Sequence, residues 1–508
     1  MFSNVYSAAI LGIDGVIVSV EADINDGLPC FDMVGTLAPE VREAKERVRT
    51  ALKNSGFYLQ PKKITVNLSP ADIRKSGSGF DLAIACAVLT GYGFLLPEQL
   101  SETVVIGELG LDGSVRPVNG MLSIADCARE RGFKKMIVPA ANAKEASVID
   151  GIDVYGVVHL SHIVGLLAGI DNMEPVKVNL NEFMEDDIFP YDFAEIHGQT
   201  AVKRACEVAA AGMHNILFIG PPGSGKSMAA KRLPGILPKL TFDERIKITK
   251  IHSISGLLKE NEALVRNRPF RAPHHTISST GLVGGGRFPK PGEISIASGG
   301  VLFLDELTEF ERSTLEVLRQ PLEDGYVTVS RLHGAYVFPA DTMLVAAMNA
   351  CPCGYFPDRK RCHCSEKAVS RYLSHISRPL LDRIDICIET ETVSLISQNN
   401  SINEESSSDI RKRVELTRKL QLERYCGEDY KFNSHIKAKD IEKYCALGKK
   451  EKEFMQKVFE TMQLSMRAYH RILRVSRTIA DLAGEEKITT RHLSEAVCYR
   501  GFEEKYWS

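Results

Sequence analysis

Three observations predict a multidomain α/β protein. First, 508 residues exceed what a single hydrophobic core organises, so two to four domains are expected. Second, strand and helix signals alternate over the first 170 residues and again around residues 215–236, then give way to helical patterning alone after residue 410. Third, an apolar strand runs straight into a glycine-rich loop and a helix at Gly220–Ser227, an order that parallel α/β sheets use at their ligand edge.

The elements follow in chain order. Val16–Ile24 alternates as a strand, Pro39–Asn54 reads as a helix, and Lys63–Leu68 as a second strand. Phe80–Leu89 is helical, Val104–Gly107 a strand, Met121–Arg131 a helix and Lys135–Val138 a strand, which completes an N-terminal domain over 1–170. Residues 171–192 are acidic, hold Pro175 and Pro190 and lack periodicity, as a linker would. A core domain is assigned to 193–390, and 391–409 is polar and serine-rich, hence a flexible linker. Helical segments Ile410–Arg424, Ala438–Cys445, Lys449–Gln463, Met466–Ala483 and Thr490–Tyr499 form a C-terminal helical domain over 410–508, with Thr489 or Thr490 as a cap.

Composition excludes several classes. With 63 basic and 65 acidic residues the net charge is −2, so any nucleic-acid surface has to be local. No apolar run reaches the roughly 18 residues of a membrane span, and the N-terminus lacks a basic-then-apolar signal, so a cytoplasmic protein with no membrane partner is expected. Eight of the twelve cysteines are scattered, which suits buried thiols in a reducing compartment.

Gly220-Pro221-Pro222-Gly223-Ser224-Gly225-Lys226-Ser227 carries the clearest chemistry. Its spacing turns backbone N–H groups inward around phosphates, with Lys226 reaching the β/γ-phosphates and the Ser227 hydroxyl on Mg²⁺. Downstream, Val301-Leu-Phe-Leu-Asp305-Glu306 is a buried strand ending in two acids. Asp305 is expected to hold Mg²⁺ and Glu306 to polarise the attacking water. Together they predict hydrolysis of a nucleoside triphosphate, with ATP and Mg²⁺ as cofactors. Asn349 emerges where the strand Thr342–Met348 stops and is a candidate for orienting that water, or else a turn cap. Arg383, in Pro379-Leu-Leu-Asp-Arg-Ile, is either an ion-pair partner or a finger into a neighbouring subunit's nucleotide, which requires a ring. Arg467 opens a helix on which Arg471 and Arg474 share its face, so it is a phosphate contact or part of a solvated stripe.

Cys351-Pro-Cys353 and Cys362-His-Cys364 put four thiols within fourteen residues, the pattern of a tetrahedral Zn²⁺ site or of a redox pair. The loop they enclose holds Tyr355, Phe356, Arg359, Lys360 and Arg361, a basic and aromatic mix suited to DNA. Residues 263–292 hold Arg266, Arg268, Arg271, Arg287 and Lys290 and no acid, which fits phosphate contact, an inter-subunit surface or a loop over ATP. Tyr326–Phe338 reads as a hairpin with Arg331 and His333 near its tip, placed to project into a pore.

From about Ile196 onward the chain resembles the magnesium-chelatase-like AAA+ ATPases of the YifB/ComM competence family. The resemblance rests on His197-Gly-Gln, the Gly220–Ser227 loop, Arg268-Pro-Phe-Arg-Ala-Pro-His-His-Thr-Ile-Ser278, Gly299-Gly-Val-Leu-Phe-Leu-Asp-Glu-Leu, Leu380-Leu-Asp-Arg-Ile-Asp and Arg467-Ala-Tyr-His-Arg-Ile-Leu. It implies a nucleotide sensor at Asn349, an arginine finger at Arg383, a second sensor at Arg467, and a hexameric ring working on single-stranded or branched DNA. A magnesium-chelatase-like remodelling of a protein partner is the alternative. Residues 1–170 resemble the Lon-type proteolytic domain, an α+β fold of the ribosomal S5 domain 2 type, through Gly107-Glu-Leu-Gly-Leu-Asp-Gly-Ser-Val-Arg-Pro and Met136-Ile-Val-Pro-Ala-Ala-Asn. Lon chemistry needs a lysine-activated serine. Here Gly79 falls at the serine position and Ile124 at the lysine position, so a retired domain supporting ring assembly or DNA contact is expected.

Overall fold

The computed structural model describes every residue except 171, 184, 186–188, 260–261, 287–288, 332–333, 392–403 and 508. Arg287, His333 and most of the expected 391–409 linker therefore lie outside the described residues. Two compact units emerge. One comprises Met1–Glu185, Thr241–Arg266 and Thr328–Phe338, and the other Asp186–Leu240, Asn267–Val327 and Pro339–Ser508. Two segments expected within a continuous 193–390 core thus group with the N-terminal residues.

The first unit is built on a seven-stranded sheet in the order Cys30–Val34, Lys63–Ser69, Asp14–Asn25, Phe2–Leu11, Thr103–Val105, Lys135–Pro139, Asp153–Val157. Its centre is the antiparallel pair Phe2–Leu11 and Asp14–Asn25, in register from Phe2↔Asp23 to Leu11↔Asp14. The outer strands pair in parallel, which makes the sheet mixed. Helix Asp81–Gly91 reads Asp-Leu-Ala-Ile-Ala-Cys-Ala-Val-Leu-Thr-Gly and is buried on all sides, as an all-round apolar helix must be. Helix Ala44–Asn54 is amphipathic and buries Ala44, Val48, Ala51 and Leu52. The expected single helix 39–54 is broken at Glu43 into two pieces.

Helix Phe242–Ile254 also belongs to this unit. Thr241 caps it through the Glu244 N–H, with the Glu244 carboxylate returning to the Thr241 N–H. Buried Glu145 accepts hydrogen bonds from Ser253 Oγ at 2.5 Å and from Leu122 N at 2.8 Å, and Lys250 pairs with Asp126 at 2.5 Å. Part of the expected 171–192 linker is not free chain. Val176 N donates to Val154 O at 2.8 Å, and Val176, Val178 and Leu180 pack against the core with Phe183 inside it. Alternating apolar side chains had the pattern of packed chain, and the acidic composition masked it.

In the second unit five parallel strands run in the order Phe270–Arg271, Val301–Leu304, Met343–Met348, Ile216–Ile219, Ile386–Glu389. The three central ones are buried throughout, so they read as continuous apolar runs rather than alternating ones. Helices Thr200–Gly212, Lys226–Ile236, Ser407–Arg424 and Met466–Leu482 share one core with this sheet. Lys449–Thr461 and Thr490–Cys498 complete the expected helical C-terminal region, and Thr489 is the cap of the latter. The Asp481 carboxylate, buried, accepts from Arg424 at 2.6 and 2.7 Å and from Asn433 at 2.8 Å, tying three segments of that region together. No described helix is long and apolar enough to cross a membrane.

Candidate functional site

Strand Ile216–Ile219 delivers the chain to Gly220, and the loop turns back into helix Lys226–Ile236. Gly223 and Gly225 adopt φ of +74° and +86°, a region that side chains disfavour and glycine enters freely. The turn aims the first free N–H groups of the helix at the loop centre, a ready anion site. Neighbours brace it. Ser224 Oγ donates to Pro221 O at 2.8 Å and lies 2.6 Å from Thr390 Oγ1, while Gln199 Nε2 donates to Ser224 O at 2.8 Å.

The polar groups that the sequence singles out converge here. Lys226 Nζ donates to Gly220 O and Pro221 O, each at 2.8 Å, and to Asn349 Oδ1 at 3.1 Å. Burial lowers the Lys226 pKa, opposed by the Asp305 charge. Ser227 Oγ donates to Asp305 Oδ2 at 2.7 Å, so a hydroxyl and a carboxylate sit side by side as hard oxygen donors that fit Mg²⁺. Glu306 follows with φ of +51° and an exposed side chain. The arrangement brings together a glycine-rich loop at a helix N-terminus, a cation, a hydroxyl–carboxylate pair and an exposed carboxylate, the group types that nucleoside-triphosphate hydrolysis uses.

Arg383 and Arg467 stand elsewhere. Gly220, Asp305 and Asn349 follow the carboxyl ends of their strands. Arg383 and Arg467 instead line a 660 Å³ cleft together with Asn215, Asp341, Thr342 and Asp385, residues at the amino ends of the same strands. Even a four-residue strand separates the two edges by about 13 Å, beyond the span of an arginine side chain. Arg383 Nε and Nη1 donate to Arg319 O and Pro379 O at 2.7 and 2.6 Å, and it pairs with Glu323. Arg467 is exposed, with no hydrogen bond or ion pair to another described residue. One turn on, Arg471 lies 3.5 Å from Asp385.

The six expected DNA contacts divide. Arg359, Lys360 and Arg361 are exposed on the cysteine loop, Arg359 over the Phe356 ring at 5.0 Å and Arg361 over Tyr355 at 5.8 Å. Arg331 is exposed at the end of a hairpin arm, Tyr326–Arg331 paired with Gly334–Pro339. Arg268 is a correction: it is buried, donating to Pro238 O and Gly299 O at 2.7 Å each. Arg271 is likewise held, with two bonds of 2.6 and 2.8 Å to Glu293. The stretch without acids ends one residue before Glu293, the counter-ion of Arg271, and a local charge count does not register that Arg268 is enclosed.

Cys351, Cys353, Cys362 and Cys364 gather with their sulfurs all within 4.8 Å of one another. Sequence reasoning overlooked the second layer of the nucleotide site. Thr390 ends a strand with no motif of its own, Gln199 was legible only as part of His197-Gly-Gln, and His275 Nδ1 lies 3.8 Å from Glu306 Oε2. In the first unit a Cβ added at Gly79 would meet Val118 at 3.5 Å and Ile106 at 3.9 Å, and Ile124 is buried. Ser78 donates to Glu108, and the buried Lys75 ammonium donates to Pro70 O.

Residues 192–398 match the family model for magnesium chelatase, subunit ChlI. Two further ChlI models match 20–142 and, for the ChlI C-terminal region, 404–500. Competence protein ComM of Haemophilus influenzae is 43% identical over 504 residues, covering 98% of this chain and 97% of that protein. The uncharacterized protein YifB of Escherichia coli K12 is 39% identical over 502 residues, covering 99% and 97%. An archaeal Lon protease of Methanocaldococcus jannaschii is 25% identical over 183 residues, 33% of this chain and 28% of the protease.

Proposed function

The chain belongs to the magnesium-chelatase ChlI family of AAA+ ATPases, in the branch that holds ComM and YifB, and from that premise we propose a ring-forming motor that couples ATP hydrolysis to movement along DNA. One observation supports the ring: the two sets of candidate ATP-site residues occupy opposite edges of one sheet. Lys226, Ser227, Asp305 and Asn349 form the cradle, while Arg383 and Arg467 line the far cleft. Closing the site takes a neighbouring copy whose arginines reach across, and a hexamer repeats that contact around a circle. In this reading Lys226 binds the β/γ-phosphates, Ser227 and Asp305 hold Mg²⁺, and Glu306 takes a proton from a water that Asn349 orients. Arg383 and Arg467 of the next subunit then stabilise charge as the phosphate bond breaks.

DNA as the track is supported by the exposed Arg359-Lys360-Arg361 run and Arg331, and by the competence role in the printed name of the Haemophilus relative. The work then is branch migration or unwinding of recombination intermediates during natural transformation. Four cysteines with mutually close sulfurs hold Zn²⁺ in this reading. ATPase rate, measured with and without single-stranded and branched DNA over a salt series, tests it. The expectation is stimulation by DNA whose apparent affinity falls log-linearly with salt. A rate indifferent to DNA but raised by a protein partner favours the remodelling reading.

A further inference from the structure

The cysteine loop and the phosphate loop touch. Gly354, one residue past Cys353, is buried with φ of +84°. A Cβ placed on it would sit 2.4 Å from Pro222 Cδ and 2.8 Å from Pro222 Cγ, with Asn349 Cγ at 3.7 Å. Pro222 is the third residue of the phosphate loop, and Asn349 accepts the hydrogen bond from Lys226. Only a residue without a side chain permits that approach. We infer that the Cys351–Cys364 centre binds Zn²⁺ and, by seating Gly354 against Pro222, sets the affinity of the phosphate loop for nucleotide. This rests on the reading of both sites given under Proposed function.

The thiols fit the ion. Sulfur separations are 3.3 Å for Cys351–Cys353, 3.7 Å for Cys351–Cys362 and 3.6 Å for Cys353–Cys362. Four thiolates about 2.3 Å from a tetrahedral Zn²⁺ stand roughly 3.8 Å apart. The loop is also tied down, since Phe356 N donates to Cys351 Sγ at 3.4 Å and Gly354 N to Cys351 O at 2.9 Å. With four fixed ligands, the Cys353–Gly354 backbone has one resting place, against Pro222. Without them, the sixteen residues between Asn349 and Glu366, which hold little regular structure, have no apolar core of their own to fix them.

A second route reaches the same loop. Phe356 packs edge-on against Tyr506, with ring centroids 6.1 Å apart, and the Tyr506 hydroxyl donates to Glu389. The next residue, Thr390, holds Ser224 of the phosphate loop at 2.6 Å. Displacing the cysteine loop therefore loosens the cradle at Pro222 and, through Tyr506, at Ser224.

The test uses the full chain, its zinc content by atomic emission, its affinity for a fluorescent N-methylanthraniloyl-ADP, and thermal unfolding. Wild type is expected to carry one zinc per chain. Cys353→Ser should lose the metal and bind nucleotide about tenfold or more weakly. Gly354→Ala should keep the zinc and the melting transition and still weaken nucleotide by a comparable factor. Exposed Cys426→Ser should change neither. Gly354→Ala decides the matter even if Cys353→Ser does not fold. Zinc-free wild type, or a folded Gly354→Ala within twofold of wild-type affinity, overturns the inference. A zinc-loaded wild type that binds no nucleotide sinks the ATPase reading and this inference with it, a failure distinct from the other two.

Discussion

The two units fill the positions that their resemblances mark for chemistry with opposite materials. In the Lon-like unit, Gly79 offers no side chain, Val118 and Ile106 stand where its Cβ would point, and Ile124 is buried. At the nucleotide edge, Lys226, Ser227, Asp305 and Asn349 are linked by hydrogen bonds of 2.7–3.1 Å. A fold does not depend on catalytic side chains, because apolar residues pack better than charged ones left without partners. A phosphate loop enjoys no such freedom, since its turn, cation and metal ligands each do something only that residue type does.

The largest effect that can break this contrast lies in the second unit. Glu306→Gln should lower ATP turnover by about 10²–10³ while nucleotide binding persists, whereas Lys226→Ala should remove binding, as read by fluorescent-nucleotide titration. If either variant hydrolyses ATP at the wild-type rate, the assignment of the edge is wrong. Next comes the first unit, where casein should survive incubation with the protein and ATP. ATP-dependent proteolysis would mean that Ser76, Ser78 or Lys75 supplies what Gly79 and Ile124 do not.

Smaller effects separate the units by acid response. Burial alone would push the Asp385 carboxyl up, but His214, Arg471 and Arg474 more than offset it and hold it at about 2. An unfolded aspartate titrates near 3.9. Asp385 therefore stabilises the second unit above about pH 4, and its contribution is lost as pH falls from about 4 to about 2. Asp385→Asn should cost about 3 kcal/mol at neutral pH, measured by denaturant unfolding, and flatten the acid limb. Glu145 shows the reverse. Burial raises its pKa despite hydrogen bonds from Ser253, Leu122 and Asn142. Its contribution is complete below about pH 4.3 and fades as pH rises through the raised value. Glu145→Gln keeps an acceptor for Leu122 N–H and should leave neutral-pH stability within about 0.5 kcal/mol of wild type or above it. A large loss there would show that the carboxylate charge itself is needed.

Much of the fold was legible because its signals are local. The buried helix at 81–91 and the strands at 216–219, 301–304 and 343–348 are short apolar runs with clear ends, and the Thr489 cap lies beside the helix it starts. Strands Phe2–Leu11, Cys30–Val34 and Asp153–Val157 passed unnoticed. Of these, Cys30–Val34 is part exposed and gains its place from the Lys63–Ser69 neighbour rather than from its own pattern. The strand–loop–helix order at Gly220–Ser227 and the clustering of the four cysteines follow from contiguous sequence for the same reason.

What sequence alone determined is the pattern carried by contiguous segments: the glycine-rich loop of Gly220–Ser227, the Asp305–Glu306 pair at a strand end, the paired C-x-C spacing, and a glycine at position 79. Tertiary structure alone decided which edge each group occupies. Parallel strands send Asn349 and Gly220 to one side and Arg383 to the other, and that order is set by hydrogen bonding between segments far apart in the chain. It also decided that Arg268 is enclosed, that Arg271 has Glu293 as counter-ion, and that Gly354 rests on Pro222. Each of those is a contact across the fold, and no local periodicity or charge count encodes which distant residue will arrive.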